Sequence, residues 1–585
     1  MTELPTVSIS GARFKVKGFV TDGFTVWATL HDGQHYTTEG VWSVPLVHLN
    51  EFLSMYGKRF DPSGIAGIQK RLSMEWLASA KFPPTIITEL KSHQTLGSRF
   101  ILNRVRSAVL DEMGTGKTAL TLESALQLLR NNKIDRVLVM ATSSGRYVWL
   151  REMKKWGFDK TEEKWVIPEF DNVQLLESPY KNIPDQISGE AKFVLGGYDI
   201  FSHRPEKKGI GIACDSLLAD AKVRRYMIVA DEAHLMGNYL SNRSIYLRVM
   251  NATWRVALTG TPIGNRVEEA FSILSFLEGH EMWNGFRNFA VEYLVYSEEK
   301  FGPNRAVTGY KNVARLANAL LPISIRRLKK DVTDLPPITE SWIDVKLSDE
   351  EEQVYTILRE MFDDEVKQFR AGSILAHTLE FGAYTITKMF LAHPMLLEKT
   401  HSDIGQKIFE EYLSPPKSMP HSKFDAFGEF VEEILDQNDH ATKVVVFCDF
   451  PRVLEWMTKL LPDNSWAMFH GQTPGPERDR QMERFNDDPE CQWILLSDAG
   501  TSSVNLPASY VVHYTLPWSL ITLNQRRDRA SRMGHNMSLT ALKMIVKGEE
   551  SMDELIARTL EKKKALSDKL LKGIEDASRP PPDDT

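Results

Sequence analysis

Residues 108–120 read AVLDEMGTGKTAL: an apolar strand end, a turn holding Gly114 and Gly116, then a helix opening rich in Ala and Leu. Glycines at those two places let backbone amides approach phosphate oxygens, and the helix N-terminus adds the positive end of its dipole. Met113, Gly114, Thr115 and Gly116 would form the cradle. Lys117 would reach the β and γ phosphates, and the Thr118 hydroxyl would coordinate Mg²⁺. Asp111 stands where the general pattern of such loops has its first glycine. The competing reading is a chance GKT in a surface loop, which the strand–turn–helix context disfavours.

Working outward, YMIVADEAHLM at 226–236 ends an apolar strand on Asp231, Glu232, Ala233 and His234. Hydrolysis of a nucleoside triphosphate needs one carboxylate for the metal shell and another to orient or deprotonate the attacking water. Adjacent acids at a strand's carboxyl end supply both, Asp231 on the metal side and Glu232 on the water. Two acids capping a helix would look the same in isolation. A third segment, NQRRDRASRMG at 524–534, puts Arg529 and Arg532 three apart on one helix face. Arginines of this kind can stabilise charge on a transferring phosphoryl group. Alone, such a helix equally suits a solvated or phosphate-touching face.

Around these motifs the chain alternates buried strands with helical patterns: VLVMAT at 137, FVLGGY at 193 and WRVALTG at 254. The pattern fades between about 270 and 425, where helices dominate. It resumes with KVVVFCDF at 443, SWAMFH at 465, CQWILLSD at 491 and SYVVHYTL at 509. Two α/β blocks with parallel sheets, separated by a helical region, are predicted. Before Pro83-Pro84 the alternating runs FKVKGFV and FTVWATL predict short strands, divided by turn signals at Asp22-Gly23 and Asp32-Gly33, and residues 52–56 a helix. Residues from 549 predict a charged helix and a disordered tail, ASRPPPDDT.

Composition sets the bounds. Of 585 residues, 42% are hydrophobic and 25% charged, the make-up of a globular enzyme. Cys214, Cys448 and Cys491 lie far apart, which argues against a metal ribbon or disulfide framework and fits a reducing compartment. No leader-like N-terminus or bilayer-length apolar run is seen, so a soluble intracellular protein is expected, with no membrane partner. The net charge of −7 disfavours nucleic acid only bluntly, because phosphate contacts depend on local cationic grooves. Candidate clusters are Arg326, Arg327, Lys329 and Lys330, and Arg526, Arg527, Arg529 and Arg532.

Taken in order, these motifs resemble the Swi/Snf-type ATPases of helicase superfamily two. DEMGTGKT is close to that family's phosphate loop, Asp111 included. LKSHQTLG at 90–97 is similar to its adenine-side motif, which implies that Gln94 reads the base. The segment at 137–156 resembles a strand leading to a family Trp, here Trp149. ALTGTPIGNRVEEAF at 257–271 is similar to the family's TGTP motif, so Thr259, Gly260 and Thr261, with His234, would couple the lobes. SIRRLKKDVTDLPP at 324–337 and MFLAHPML at 389–396 look like landmarks of its helical protrusions. The arginine segment places Gln525, Arg529 and Arg532 on far-lobe catalytic positions. Thr142, Trp149, Ser497, Gly500 and Asn505 fall on DNA-contacting positions.

The resemblance implies an α/β fold: two RecA-like parallel-sheet lobes with helical protrusions, plus a small N-terminal α+β accessory domain. The expected divisions are 1–82 for the accessory domain, 83–340 and 341–548 for the lobes, and 549–585 for the C-terminal helix and tail. It further implies a DNA-dependent ATPase using ATP and Mg²⁺, a monomer that translocates on duplex or branched DNA in replication, repair or recombination. A strand-separating helicase and a non-catalytic DNA scaffold are the alternatives. Its compact build resembles bacterial or phage members, so a cytoplasmic protein of such a cell is expected. Four departures mark the second lobe: Thr501 and Ser503 in a small-residue segment, Thr515 for an Asp, Ser519-Leu520 for Asn-Pro, and Ser531 and His535 for a His and a Gln around the arginines. Tyr36, Trp42 and Pro45 resemble the framework of the HARP module of annealing helicases; a small β domain whose Trp fills its own core fits them as well.

Overall fold

The computed structural model describes residues 5–578 except 11–12, 18, 20, 22–23, 26–27, 29–32, 37–40, 61, 202–207, 263, 265, 279–284, 298–306, 334–335, 337, 368–373, 414–419, 438–440, 499–505, 532–537 and 549–550. The tail at 579–585 and the turn at Asp22-Gly23 lie outside the described residues. Two compact units are present, Met1–Thr333 with Ala565–Thr585, and Asp334–Lys564.

The first unit opens on an antiparallel sheet of β1 (Thr6–Ser10), β2 (Arg13–Lys17), β3 (Gln34–Tyr36) and β4 (Val41–Pro45), in the order β1-β2-β4-β3. Helix α1 (Leu49–Tyr56) covers it, and Phe14, Phe19, Phe24, Phe52 and Phe60 fill the space between. FTVWATL, expected as a strand, is not one where it is described: Phe24, Thr25 and Ala28 are helical. Thr21 explains this, because its hydroxyl accepts from the Phe24 amide and its carbonyl from Thr25, and Phe24 and Ala28 then share the buried face. Trp42 is buried, stacked on His35 with ring centroids 4.8 Å apart, so it does fill the module's own core, while Tyr36 is exposed.

The large sheet of this unit contains β5 (Arg106–Val109), β6 (Arg136–Ala141), β7 (Val173–Leu175), β8 (Phe193–Gly197), β9 (Tyr226–Asp231), β10 (Trp254–Leu258) and β11 (Ser324–Ile325). Their order is β11-β5-β10-β9-β6-β8-β7, and every pairing is parallel. Near-continuous apolar strands are what a sheet covered on both faces requires. Helices α2 (Ser92–Asn103), α3 (Lys117–Arg130) and α4 (Gly145–Gly157) belong to this layer. The register decides the site: Ile325, Val109, Leu258 and Asp231 are successive partners across four strands. The next residue along each of these chains therefore stands at one carboxyl edge, where ligands of open α/β sheets bind.

The second unit has its own all-parallel sheet: β12 (Ile338–Val345), β13 (Val444–Phe447), β14 (Trp466–Phe469), β15 (Trp493–Leu496), β16 (Tyr510–His513) and β17 (Leu539–Val546), ordered β12-β17-β16-β13-β15-β14. Two long helices, Asp349–Lys367 and Ile374–Ala392, precede β13. Helix α5 (Leu520–Ala530) carries the arginine segment. Helix α6 (Met552–Ser578) begins in the second unit, and its residues from Ala565 onward belong to the first. There the Ser578 hydroxyl accepts from the Arg326 amide at 2.9 Å. The two parallel-sheet lobes, helical insertions and small N-terminal α+β module match the expected fold class.

Candidate functional site

The loop after β5 is built by its glycines. Gly114 and Gly116 have φ of 81° and 87°, a left-handed geometry that costs Gly little and other residues more. Gly116 caps α3, and a Cβ there would lie 2.0 Å from the Gln94 amide nitrogen. Thr115 closes the turn by donating to the Glu112 carbonyl at 2.9 Å. Lys117 folds back onto the loop, donating to the carbonyls of Asp111 at 2.8 Å and Glu112 at 3.1 Å. Met113, Gly114, Gly116 and Thr118 are half-buried around it. Gln94 accepts the Lys91 amide at 3.0 Å and donates to the Thr115 carbonyl at 3.4 Å, so the base-side turn touches the phosphate loop. His93 Nε2 stands 2.9 Å from the same carbonyl.

Asp231 ends β9 beside this loop. Its Oδ2 accepts the Trp149 indole N–H at 2.9 Å and its Oδ1 the Glu232 amide at 3.0 Å. Its own carbonyl accepts the Tyr198 hydroxyl at 2.7 Å. Burial and the neighbouring Glu232 charge push the Asp231 carboxyl up to about 6, while the Trp149 bond and the Lys117 charge oppose them. Glu232 has φ of 48°, which swings its carboxylate out of line with the strand and to 3.4 Å from His234 Nδ1. Burial lowers His234 to about 4, keeping the imidazole neutral. His234 Nδ1 also stands 3.3 Å from the Thr259 hydroxyl, which accepts the Thr261 amide at 3.2 Å. Gly260 packs so closely on the loop that an added Cβ would be 3.3 Å from the Asp111 carbonyl. The edge thus brings together Gln94, the loop 113–118, Asp231, Glu232, His234 and Thr259–Thr261.

Two sequence expectations need correcting. Trp149, expected on DNA, is 1% exposed and bonded to Asp231. The Arg326–Lys330 cluster does not form a phosphate groove. Arg326 donates to the carbonyls of Leu110 at 2.9 Å and Gly260 at 3.1 Å, and Arg327 is ion-paired with Asp111. Asp111, the departure from the general loop pattern, is the acid of that pair. Tyr198 and His93 escaped the sequence reading, and Arg327 was read only as one of a cationic cluster; an acid inside an apolar strand end was the available signal for its ion pair.

In the second unit Arg526 is 1% exposed. It donates to both Asp498 oxygens at 2.6 Å, to the Thr515 carbonyl at 2.6 Å and to Asp449. Thr515, in the place of an Asp, accepts the Asp449 amide through its hydroxyl at 2.9 Å, which serves the same network. Arg527 pairs with Glu340 at 3.0 Å. These arginines face acids of their own fold. On α5, Gln525 is half-buried and Arg529 buried. Thr142 accepts the Gly145 amide at 3.0 Å, and Ser497 is buried. Arg532, Gly500 and Asn505, with Thr501 and Ser503, lie outside the described residues.

The SNF2-related domain matches residues 93–405, and the helicase conserved C-terminal domain residues 423–534. The chain is 24% identical over 526 residues to a SWI/SNF-related regulator of chromatin containing DEAD/H box 1 from Xenopus tropicalis, covering 80% of this chain and 50% of that protein. It is 27% identical over 513 residues to the mouse DNA annealing helicase and endonuclease ZRANB3, covering 86% and 42%. A solved SWI2/SNF2 ATPase core of Sulfolobus solfataricus in complex with dsDNA is 21% identical, covers 84% of this chain and 95% of that one, and has a TM-score of 0.36. The chain spans about half the length of the curated relatives it matches. The expectation of a cytoplasmic bacterial or phage-type protein is overturned. The curated relatives come from animals, plants and yeast, and their names speak of chromatin regulation and remodelling and of DNA excision repair. With the SNF2-related domain spanning more than half of its length, the chain belongs to the SNF2 family of ATPase domains within helicase superfamily two.

Proposed function

We propose that this chain is an ATP-driven motor that moves along duplex DNA and remodels or reanneals forked or branched DNA. The observation that carries the reading is the common sheet edge: register puts the loop after β5, the paired acids and Thr259 side by side. Backbone amides of 113–118 and Lys117 would hold the phosphates, and Gln94 the base. Mg²⁺ suits the site, because the half-buried carboxyls of Asp231 and Glu232 stand side by side and form an anionic corner that a divalent cation relieves. Thr118 and Asp231 would hold the ion, which when bound supplies charge neutralisation on the phosphates. Glu232, aimed away from the strand axis by its backbone, would orient the attacking water.

Gln525, Arg529 and Arg532 of the second lobe would complete the site in the transition state, and His234 with Thr259–Thr261 would couple hydrolysis to lobe movement. Thr142, Ser497, Gly500 and Asn505 remain the candidates for phosphate contacts along the DNA. The annealing side of the proposal draws support from the likeness to a relative named a DNA annealing helicase, and from a HARP-like reading of the N-terminal module. In that module Trp42 is buried, as a framework residue would be, whereas Tyr36, expected in the framework, is exposed.

The test is ATP turnover against single-stranded DNA, duplex DNA, forked or four-way DNA and duplex RNA. Strong stimulation by duplex or branched DNA is expected. Stimulation by single strands or RNA alone would point to strand separation, and none at all to a scaffold.

A further inference from the structure

Arg327, read from the sequence only as one of a candidate cationic cluster, bonds both the loop at Asp111 and the turn at His93. Arg327 follows β11 and meets Asp111, 216 positions earlier in sequence. The Arg327 amide donates to Asp111 Oδ1 at 2.9 Å and its Nε to the same oxygen at 3.0 Å, while a terminal nitrogen reaches Oδ2. The other terminal nitrogen donates to the His93 carbonyl, next to Gln94. The side chains are 4% and 0% exposed, so the pair is shielded from water. Flanking bonds reinforce it: the Glu112 amide donates to the Arg327 carbonyl at 3.1 Å, and the Lys329 amide to Glu112 Oε2 at 2.7 Å. The far side of α2 is shaped to admit it, since a Cβ on Gly97 would lie 2.6 Å from the guanidinium.

The consequence runs through the backbone. The Asp111 carbonyl is one of the two groups that hold Lys117, and the loop closed by Thr115 is the one that Gln94 touches. We propose that Arg327 is a positioning residue of the nucleotide site, fixing the base-side turn at His93-Gln94 and the phosphate loop at Asp111 to each other. A planar fork with five donors spread over three nitrogens can reach acceptors that lie apart on its two sides; the single nitrogen of an ammonium reaches only acceptors gathered around one point. The inference rests on the ATPase reading proposed above.

The experiment compares the unaltered chain with Arg327→Lys and Asp111→Asn. It measures the affinity of a fluorescent ATP analogue without DNA, ATP kcat and KM at saturating duplex DNA, the DNA concentration for half-stimulation, and the melting temperature. Arg327→Lys keeps the charge against Asp111 but loses the shared hold on His93, and Asp111→Asn keeps the shape but loses the charge. Both variants should weaken analogue binding and raise the ATP KM about tenfold, with kcat changed by less than about threefold and half-stimulation unmoved. Variants that melt lower yet bind the analogue as the unaltered chain does would overturn the inference and leave a structural ion pair. A fall in kcat at unchanged KM would overturn it too. If the unaltered chain binds the analogue but never hydrolyses ATP, the motor fails while the binding comparison still decides Arg327; if it binds no nucleotide, both fall.

Discussion

The indole N–H of Trp149 donates to Asp231 Oδ2 at 2.9 Å, joining a helix and a strand end 82 residues apart in sequence. This bond orients the acid proposed to hold the metal and is one of two that favour its ionised form. Trp149→Phe keeps the buried ring and removes the donor. Turnover should fall about tenfold, since hydrogen bonds to charged groups are worth about 1.5–3 kcal/mol. The Mg²⁺ concentration for half-maximal activity should rise with it. A magnesium titration indistinguishable from that of the unaltered chain would remove Trp149 from the site.

Lys117→Ala should lower ATP turnover by at least about a hundredfold, because the ammonium acts on charge that develops during transfer. Among the described residues its bonds go to two loop carbonyls, so the melting temperature should scarcely move. Duplex DNA binding, measured by fluorescence anisotropy, should persist.

Gly116→Ala confronts two obstacles, a φ of 87° and a Gln94 nitrogen 2.0 Å from the new Cβ. The left-handed backbone alone costs about 1–2 kcal/mol in a residue with a side chain. Thermal melts should therefore show a loss that Gln94→Ala, added to it, recovers only in part. Full recovery would mean that the clash alone mattered.

Arg526→Ala leaves Asp449 and Asp498 facing a space their counter-ion filled. Asp449 and Asp498 are 24% and 37% exposed, so water can reach them, and the loss is that of hydrogen bonds between charged groups, about 1.5–3 kcal/mol; denaturant melts of this variant should show a destabilised second unit. A change under about 1 kcal/mol would place the network among solvated surface pairs.

His393 supplies the pH test. Burial, then the charges of His421 and Arg452, lower it to about 3, and its Nδ1 accepts the Met395 amide at 3.2 Å. Below about 6.5 the unfolded chain takes up a proton that the folded one refuses, so stability falls as pH drops from there towards 3. The slope is at most about 1.4 kcal/mol per pH unit for one site. His393→Asn, whose amide oxygen can replace Nδ1 as acceptor, should flatten the decline of melting temperature between pH 6.5 and 4. An unchanged slope would assign it to other groups.

The parts of the site that were legible in the sequence are those written within one strand–turn–helix. AVLDEMGTGKTAL and YMIVADEAHLM place their residues by local geometry, and the apolar runs of both sheets announce themselves because both faces are covered. What escaped depends on side chains meeting across the fold. Trp149 read as an exposed contact because nothing in its own helix names Asp231 as its partner. The arginine clusters read as cationic surface because their acids, Asp111, Glu340, Asp449 and Asp498, come from distant segments. FTVWATL alternates like a strand, yet Thr21 starts a helical turn ahead of it. The polar-looking ITESWIDV is strand β12 because it borders the sheet and buries few of its side chains.

The chain passes between its two units twice, between Thr333 and Asp334 and again between Lys564 and Ala565. Within the first unit the outgoing segment hangs from Arg327, and the returning helix ends with Ser578 on the amide of Arg326. Both tethers are thus moored to one dipeptide, whose side chains grip Asp111, Leu110 and Gly260 around the phosphate loop. The same two residues therefore take part both in the loop under the nucleotide and in the segments by which the chain leaves and re-enters the first unit.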